Sequence, residues 1–257
     1  MSVFGIALVR DEADIIEATV RHMAGEVDEL IVSDNGSTDG TREILADLAT
    51  ELPLEILDDP DPAYYQSAKM SRLAEMARQL GATFVLPFDA DEIHVCPGGH
   101  IATALAELDE DVLVSEAPLY DHVATGVDST DPNPIRRLTY RRTAQAPLRK
   151  VAVRAIEGVT IHQGNHSASF PGIHHPTTVT DVTQVRHFAL RTPEQMVRKA
   201  RNGGAAYAAT DLPEGMGAHW RQWNRLSDDE LGDVFRRYYW SADPKADGLI
   251  FDPVHAG

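Results

Sequence analysis

Short apolar runs and amphipathic segments alternate along the first hundred residues of the chain. The apolar runs predict strands that are buried on both faces, at residues 3–9, 29–33, 54–57 and 83–88. Between them, apolar side chains recur at helical spacing and predict amphipathic helices at residues 11–23, 42–48 and 67–80. Strands that alternate with helices of this length form βαβ units. The pattern therefore predicts an α/β fold with a mostly parallel sheet flanked by helices.

The pattern is less regular after about residue 110. It predicts strands at residues 112–115 and 148–155, a helix at residues 193–207, and partly helical structure in the aromatic stretch 220–239. The chain has no internal repeat, and no linker rich in glycine, serine or proline divides it. We therefore expect a single domain over residues 1–257.

The composition is that of a folded, water-soluble protein, with 43% hydrophobic and 25% charged residues. The single cysteine, Cys96, excludes a disulfide framework and a cysteine-cluster zinc site. The net charge of −17 disfavours general binding to polyanions or membrane surfaces, because the mean field repels phosphate. No apolar run approaches the ~20 residues of a membrane span, and no basic residue precedes the first apolar run. We expect a cytoplasmic protein without a span or signal peptide.

Acidic clusters follow two of the predicted strands. Asp34 closes the second strand, and Asp89 and Asp91 close the fourth. The carboxyl ends of parallel strands lie at the same edge of a sheet, so both clusters should face one crevice. Two carboxylates two residues apart can reach one Mg²⁺ or Mn²⁺, which keeps open positions for phosphate oxygens. On its own, the pair is better explained by an acidic loop that caps a helix near residues 99–108, because such pairs occur by chance in many acidic proteins.

Three segments together resemble the inverting family 2 of glycosyltransferases. They are VRDEADII at residues 9–16, IVSDNGSTDGT at residues 31–41 and FVLPFDADE at residues 84–92, in the order and approximate spacing of that family. The resemblance covers residues 3–95. Within the superfamily, the chain is most similar to a small branch with an H-F-x-L-R segment, here HFALRTPEQ at residues 187–195. The resemblance implies a GT-A (Rossmann-like) fold in which residues 1–110 bind a nucleotide sugar and residues 111–257 face the acceptor.

The resemblance also implies roles for single residues in binding a UDP-sugar. Asp34 matches the aspartate that hydrogen-bonds uracil, and Asp89 matches the carboxylate near the ribose or the metal. Asp91 matches the direct ligand of a Mn²⁺ or Mg²⁺ ion. The positions expected to bind the donor are Val9, Arg10, Glu12, Asp34, Lys69, Arg72 and Asp89. Of these, Val9, Arg10 and Glu12 match the second wall of the base pocket, and Lys69 or Arg72 matches a basic position near the ribose or diphosphate.

Loss of the diphosphate leaving group explains why this chemistry needs such residues. A divalent cation stabilises the negative charge that develops on the diphosphate, so Asp91 acts catalytically through the metal. Inverting transfer also needs a general base on the acceptor hydroxyl. We expect Asp121 in that role, with Glu116 and His122 as alternatives by position. A retaining mechanism, which needs no such base, remains open.

Five histidines fall within 26 residues, at positions 162, 166, 174, 175 and 187. Several GT-A enzymes add a C-terminal histidine to the two carboxylates of the metal site, and the resemblance therefore implies His166 or His187 as a further ligand. Without a metal, most of these side chains are surface or hydrogen-bonded core histidines.

A basic run extends from Arg136 to Arg154. Between residues 132 and 156 there are seven basic residues and no acidic one. The run could bind the donor diphosphate or an anionic acceptor, including nucleic acid such as a modified DNA base, or it could be a solvated strand pair. The family default is a saccharide or polysaccharide acceptor.

Aromatic residues near the C-terminus, among them Trp220 and Trp223, either stack on a sugar or base or anchor a helix. The stretch 211–217 before them is a candidate lid. Two other classes of protein remain as alternatives. One is an inactive GT-A domain that binds a nucleotide or glycan. The other is a metal-dependent nucleotidyltransferase, which would need a glycine-rich basic turn where the acidic residues 10–14 lie.

Overall fold

The computed structural model describes residues 1–254. Its strands are β1 (Val3–Val9), β2 (Glu29–Asp34), β3 (Leu54–Asp58), β4 (Phe84–Pro87), β5 (Glu92–Val95), β6 (Val112–Ala117), β7 (Leu119–Thr125), β8 (Tyr140–Arg141), β9 (Lys150–Arg154), β10 (Thr160–Ile161), β11 (Ala168–Ser169), β12 (Thr177–Thr180), β13 (Gln184–His187), β14 (Trp240–Ser241) and β15 (Ile250–Phe251). Its α-helices are α1 (Ile16–Glu26), α2 (Thr41–Leu48), α3 (Gln66–Gln79), α4 (Ile101–Ala106), α5 (Pro134–Arg137), α6 (Pro193–Ala208), α7 (Ala218–Trp223) and α8 (Asp228–Tyr238). None of the helices within residues 1–254 combines the length and the apolar character needed to cross a membrane.

The larger sheet has seven strands in the order β12-β6-β9-β4-β1-β2-β3. Its neighbouring strands pair in parallel except β9, which runs antiparallel to β4 and β6. Strand β1 is buried on both faces, because Val3, Ala7 and Val9 pack with α1 and α2 while Phe4 and Ile6 pack against α3. Strands from both sides of residue 110 share this sheet. The expected α/β fold with a mostly parallel sheet flanked by helices is confirmed.

A second sheet, which the sequence pattern did not predict, has the order β15-β8-β7-β13-β5, with β14 beside β7. It begins directly after residues 88–91, which follow β4. β13 runs parallel to β7 and antiparallel to β5, in a register that sets His187 opposite Asp121 on one side and Glu92 on the other. The second sheet therefore brings side chains from three distant segments to the end of β4.

The first helix begins at Ile16, later than the predicted start at residue 11. Asp11 has a φ of +54°, in the left-handed region. Its carboxylate accepts hydrogen bonds of 2.7 Å from the backbone N–H of Thr38 and from Nδ2 of Asn202. Residues 10–14 thus form a loop that remote segments hold in place, and such contacts leave no trace in helical periodicity.

The aromatic stretch 220–239 divides between α7 and α8. Ser227 caps α8 by accepting a hydrogen bond from the backbone N–H of Glu230. Helix α7 packs closely on α6 at Gly203, where an added Cβ would lie 2.8 Å from Cδ2 of Trp220. A larger residue at position 203 could not accept Trp220 in its present position, so this glycine fixes the approach of α7.

Candidate active site

A cavity of about 500 Å³ lies at the carboxyl ends of β1 and β4. The loops after these strands and one face of α6 form its walls. The lining residues include Val9, Arg10, Asp11, Glu12, Asn35, Asp89, Asp91, His187, Arg198, Lys199 and Asn202. This is the crevice that the parallel sheet predicts, and it collects five of the expected donor-binding and metal-binding positions from the first hundred residues.

The Asp34 carboxylate lies at the end of β2 beside Asn35, which lines the cavity. Asp34 is only 5% exposed. Its Oδ2 accepts a hydrogen bond of 3.2 Å from the backbone N–H of Ser37, whereas its Oδ1 has no hydrogen-bond partner among the described residues. A buried carboxylate oxygen without a donor is costly, so this position favours an N–H group supplied from outside the chain.

Asp89, the first carboxylate after β4, pairs with a buried lysine. Nζ of Lys150 lies 2.7 Å from Oδ2 of Asp89 and 2.7 Å from Oε1 of Glu92. Nδ2 of Asn165 donates to the other oxygen of Asp89 at 3.1 Å. Burial raises the pKa of Asp89 to about 6, although Lys150 opposes the shift. Both oxygens of Asp89 are therefore engaged within the protein.

Asp91, the second carboxylate, has a different environment. Its Oδ2 forms an ion pair with Nζ of Lys199 and lies 3.8 Å from Nε2 of His187. Burial alone would raise the pKa of Asp91, but the charges of Lys199 and His187 outweigh it and lower the pKa to about 2. No described group donates to its other oxygen, Oδ1. Asp91 is therefore ionised and keeps one oxygen available to a ligand.

His187 connects Asp91 to Asp121. Its Nδ1 lies 2.8 Å from Oδ1 of Asp121, to which it donates, and its Nε2 faces Asp91. Burial lowers the pKa of His187, but the hydrogen bond to Asp121 and the charge of Asp91 raise it above its usual value. A histidine whose Nδ1–H is held by a carboxylate is the usual arrangement of a metal-ligating imidazole.

Arg191 ties the segment 187–195 to the loop after β1. Its guanidinium is fully buried, donates to both oxygens of Asp14 at 2.8 Å, and lies 2.5 Å from Oε2 of Glu12. Glu12 also pairs with Lys199 at 3.1 Å, so one network holds both Lys199 and the loop. Sequence reasoning assigned no role to Arg191, although it lies within the segment that resembles the family.

The donor set fits one divalent cation at Asp91 and His187. In the ion-pair network of the site, the carboxylates of Glu12, Asp14, Asp89, Asp91 and Glu92 face the cations of Lys150, Arg191, Arg198 and Lys199. The carboxylates of this network outnumber its cations, which favours an additional cation at the site. Within residues 1–254, however, no three His, Cys, Asp or Glu side chains surround one metal position. A bound cation would therefore take further ligands from substrate or water.

A second cavity, of about 440 Å³, adjoins the first. The two share Tyr64, Gln66, Asp89, His187, Tyr207, His219 and Trp220. Asp121 and His166 line only the second cavity. Nδ1 of His166 lies 2.8 Å from the backbone oxygen of Arg149, and burial lowers the pKa of this imidazole. The expected base and one of the expected histidines thus lie on the far side of Asp89 and His187 from the first cavity.

Lys69 and Arg72 line neither cavity. Both lie on α3, where Nζ of Lys69 pairs with Oδ2 of Asp59 at 2.6 Å and Arg72 is exposed. Besides Arg10, the basic residues that line the first cavity are Arg198 and Lys199, and both come from α6. The sequence offered a signal for them, because α6 carries Arg198, Lys199 and Arg201 within four residues.

A sequence model of the family described as "Glycosyl transferase family 2" matches residues 6–154. Among solved structures, the chain is similar to S. aureus TarS, with 14% identity, a TM-score of 0.43, and coverage of 87% of this chain and 43% of TarS. It is also similar to TarS 1–349 in complex with UDP-GlcNAc, with 15% identity, a TM-score of 0.42, and coverage of 93% and 73%. A third similar structure is that of glucosyl-3-phosphoglycerate synthase from Mycobacterium tuberculosis, with 17% identity and a TM-score of 0.34. The match covers 46% of this chain and 44% of the synthase.

The chain thus spans less than half of the full TarS chain. No curated protein matches the sequence closely enough to be reported as a relative.

Proposed function

This chain belongs to glycosyl transferase family 2, and from that premise we propose that it transfers a sugar from a UDP-sugar to an acceptor hydroxyl with inversion at the anomeric carbon. The observation that carries the proposal is the meeting of two cavities at Asp89 and His187. The first cavity, of about 500 Å³, is lined by the ionised Asp91, and we assign the donor to it. The other contains a carboxylate, Asp121, that can act on an acceptor.

The donor base is assigned from Asp34. Its buried Oδ1 lacks a donor within the described chain, and the N3–H of uracil would supply one. Asp34 itself does not line the first cavity, but its neighbour Asn35 does, together with Val9 and Arg10 from the end of β1, which we assign to the second wall of a base pocket. We therefore assign uridine to this end of the cavity and the diphosphate to the end near Lys199.

The cation that we propose is Mn²⁺ or Mg²⁺, held by Asp91 and His187. When bound, it would stabilise the negative charge that develops on the departing diphosphate. Asp89 is a poorer ligand because Lys150 and Asn165 engage its two oxygens. We propose that Asp89 holds the buried Lys150, at the start of β9, beside the end of β4. We propose that Arg198 and Lys199 contribute positive charge near the diphosphate.

The proposed general base is Asp121. Its Oδ1 orients His187, and its Oδ2 accepts no hydrogen bond from the residues that the structure describes. In the transfer, the bond between the anomeric carbon and the diphosphate oxygen breaks and UDP leaves with the electron pair. The acceptor oxygen forms the new bond to that carbon while its proton passes to Asp121.

Release of UDP from a panel of UDP-sugars, with Mn²⁺ and a mixture of saccharide acceptors, tests the proposal. We expect wild-type turnover, and we expect Asp91→Asn to lose at least about a hundredfold of it. Asp111→Asn is the matched control, because Asp111 is an exposed aspartate away from both cavities. If no UDP-sugar is turned over and UDP does not bind in calorimetry, the proposal is wrong.

One observation favours a second candidate, an inactive domain that binds a nucleotide or glycan. Lys150 and Lys199 each neutralise one carboxylate of the Asp89–Asp91 pair. If these ion pairs persist when the donor binds, the chain would bind UDP without turning over any donor. Calorimetric UDP binding that is unchanged by Mn²⁺, together with absent UDP release, supports this candidate.

A further inference from the structure

The second cavity begins where the proposed donor site ends. Its wall shares Asp89 and His187 with the first cavity, and the Asp121 carboxylate faces it. A molecule in this cavity would lie beside the anomeric carbon of a donor in the first. If the proposed function holds, the chemistry of this wall selects the acceptor.

No unpaired permanent cation lines the second cavity among the described residues. Its only lysine or arginine is Lys150, which is 3% exposed and is held by Asp89, by Glu92 and by the backbone oxygen of Gly164. The imidazoles of His166, His187 and His219 line the cavity as well. The remaining ionisable lining groups with a charge at neutral pH are the carboxylates of Asp89, Glu92 and Asp121, and His187 already donates to Asp121.

The basic run does not supply the missing charge. Arg149 pairs with Asp181 at 2.8 Å, and Arg141 pairs with Asp252 at 2.5 Å. Arg154 donates to backbone oxygens, and its guanidinium lies 4.6 Å from the centre of the Phe84 ring. Arg137 and Arg142 likewise donate to backbone oxygens. These cations contact groups of the fold itself, and Arg136, which is exposed, does not line the cavity. Of the seven basic residues of the run, only Lys150 lines it, which disfavours an anionic or nucleic-acid acceptor there.

Much of the remaining lining of the second cavity is apolar or aromatic. It includes Leu119, Ala146, Pro147, Leu148, Tyr207 and Trp220. The indole of Trp220 is half-buried against Gly203 and remains part of the lining. A lining that combines apolar and aromatic side chains with carboxylate and imidazole groups suits a ring with one C–H face and a rim of hydroxyl groups.

We propose that the second cavity is the acceptor subsite and that it takes an uncharged saccharide, with a pyranose ring against Trp220 and a hydroxyl near Asp121. This assignment rests on the proposed function. It predicts discrimination by charge, because an anionic acceptor would lie beside Asp121 and Glu92, while the one lysine of the lining, Lys150, is already paired. The assignment also predicts discrimination by shape, because the C–H face of a pyranose ring stacks on the indole of Trp220 and an acceptor without such a face cannot.

Matched pairs of acceptors test the charge. The probes are methyl glucoside against methyl glucuronide, methyl galactoside against methyl galacturonide, and mannose against mannose 6-phosphate, each with the active UDP-sugar and Mn²⁺. We expect the neutral member to have at least about tenfold higher kcat/KM wherever a pair is used. Equal or better use of the anionic members, or a panel in which no neutral saccharide is used, overturns the assignment.

A new cation in the cavity should reverse the preference. Leu148 lines the cavity and is 56% exposed, so Leu148→Arg places a guanidinium there without burying it. Val127→Arg makes the same change at an apolar residue that is 61% exposed and lines neither cavity. We expect the anionic-to-neutral ratio to rise about tenfold in the first variant and to stay unchanged in the second. An unchanged ratio in both variants contradicts the assignment.

Trp220 provides an independent test. Trp220→Ala should raise the acceptor KM at least about tenfold, and Trp220→Phe should restore most of the loss. UDP affinity, measured by calorimetry without acceptor, separates the two proposals. If the wild type does not bind UDP, the proposed function is contradicted. If UDP binds normally and Trp220→Ala keeps a wild-type acceptor KM, only the assignment of the acceptor subsite is contradicted.

Discussion

His187 donates a 2.8 Å hydrogen bond from Nδ1 to Oδ1 of Asp121 across the parallel pair of β13 and β7. This contact turns the free Nε2 of the imidazole towards Asp91, 3.8 Å away. A single carboxylate thus orients the candidate metal ligand with one oxygen and presents the other to the acceptor cavity.

Replacement of Asp121 by asparagine should separate these two tasks. An amide still holds the imidazole but accepts no proton, so we expect kcat to fall by roughly 10²–10⁴-fold. UDP affinity in the presence of Mn²⁺ should change by less than about threefold. Steady-state kinetics and calorimetry measure both quantities, with Asp111→Asn as the control. A kcat within a few-fold of wild type would remove Asp121 from the role of general base.

Arg191 should stabilise the fold more than an exposed arginine in a comparable number of ion pairs. Arg191→Lys keeps the charge but loses the bidentate contact with Asp14 and one contact to Glu12. A lysine cannot donate to all of these carboxylate oxygens at once, so some of them lose their hydrogen-bond donor. We therefore expect the free energy of unfolding to drop by about 2–4 kcal/mol.

The control for Arg191 is Arg21→Lys on α1. Arg21 also contacts two carboxylates, those of Glu17 and Glu51, but the pairs are solvent-exposed. Arg21→Lys should lower the free energy of unfolding by less than about 1 kcal/mol. Urea unfolding monitored by tryptophan fluorescence measures both variants, and equal effects would show that burial of Arg191 adds nothing.

The strands β1 to β4 and the helices α1 to α3 could be predicted from the sequence, because buried strands and amphipathic helices leave strong periodic signals. The crevice with Asp89 and Asp91 followed from this alternation alone. The second sheet did not follow, because most of its strands have two to four residues and mixed polarity. Since that sheet sets His187 beside Asp121, the pairing of these two residues could not be predicted either.

The partner of Asp89 was hidden for a related reason. The strand that carries Lys150 was predicted, but its antiparallel insertion between β4 and β6 depends on long-range pairing. That insertion brings Nζ of Lys150 to within 2.7 Å of Asp89. A lysine of the basic run, for which the sequence left ligand binding and a solvated strand pair open, is therefore a buried counter-ion of the site.

Stability should fall in mild acid because of His122. This imidazole is buried, stacks on Phe188 with ring centroids 4.4 Å apart, and donates from Nδ1 to the backbone oxygen of Leu138. Burial lowers the pKa of His122 to about 4, below the value near 6.5 of an unfolded chain. The unfolded state therefore binds the proton first. The contribution of neutral His122 to the free energy of unfolding is intact above pH 6.5. It is lost as the pH falls towards 4, and the loss amounts to at most about 3 kcal/mol.

Urea unfolding at pH 7.0, 5.5 and 4.5 measures this loss, and His122→Gln is the comparison. The glutamine variant keeps a polar donor at the site but does not titrate, so its stability should depend less steeply on pH. Other titrating groups act in both proteins and cancel in the difference. An NMR titration of the wild-type ring gives a second readout, and a His122 pKa near 6.5 would contradict the prediction.

The contact between Gly203 and Trp220 should control the position of α7. An alanine Cβ at position 203 would lie 2.8 Å from Cδ2 of Trp220, so Gly203→Ala must displace the indole from the wall that the two cavities share. We expect a loss of about 1–3 kcal/mol in unfolding free energy and a raised acceptor KM. Gly25→Ala on α1 is the matched control, because an added Cβ there meets nothing within 4 Å, and it should be neutral or slightly stabilising. A Gly203→Ala protein with wild-type stability and KM would mean that α7 can yield without affecting the site.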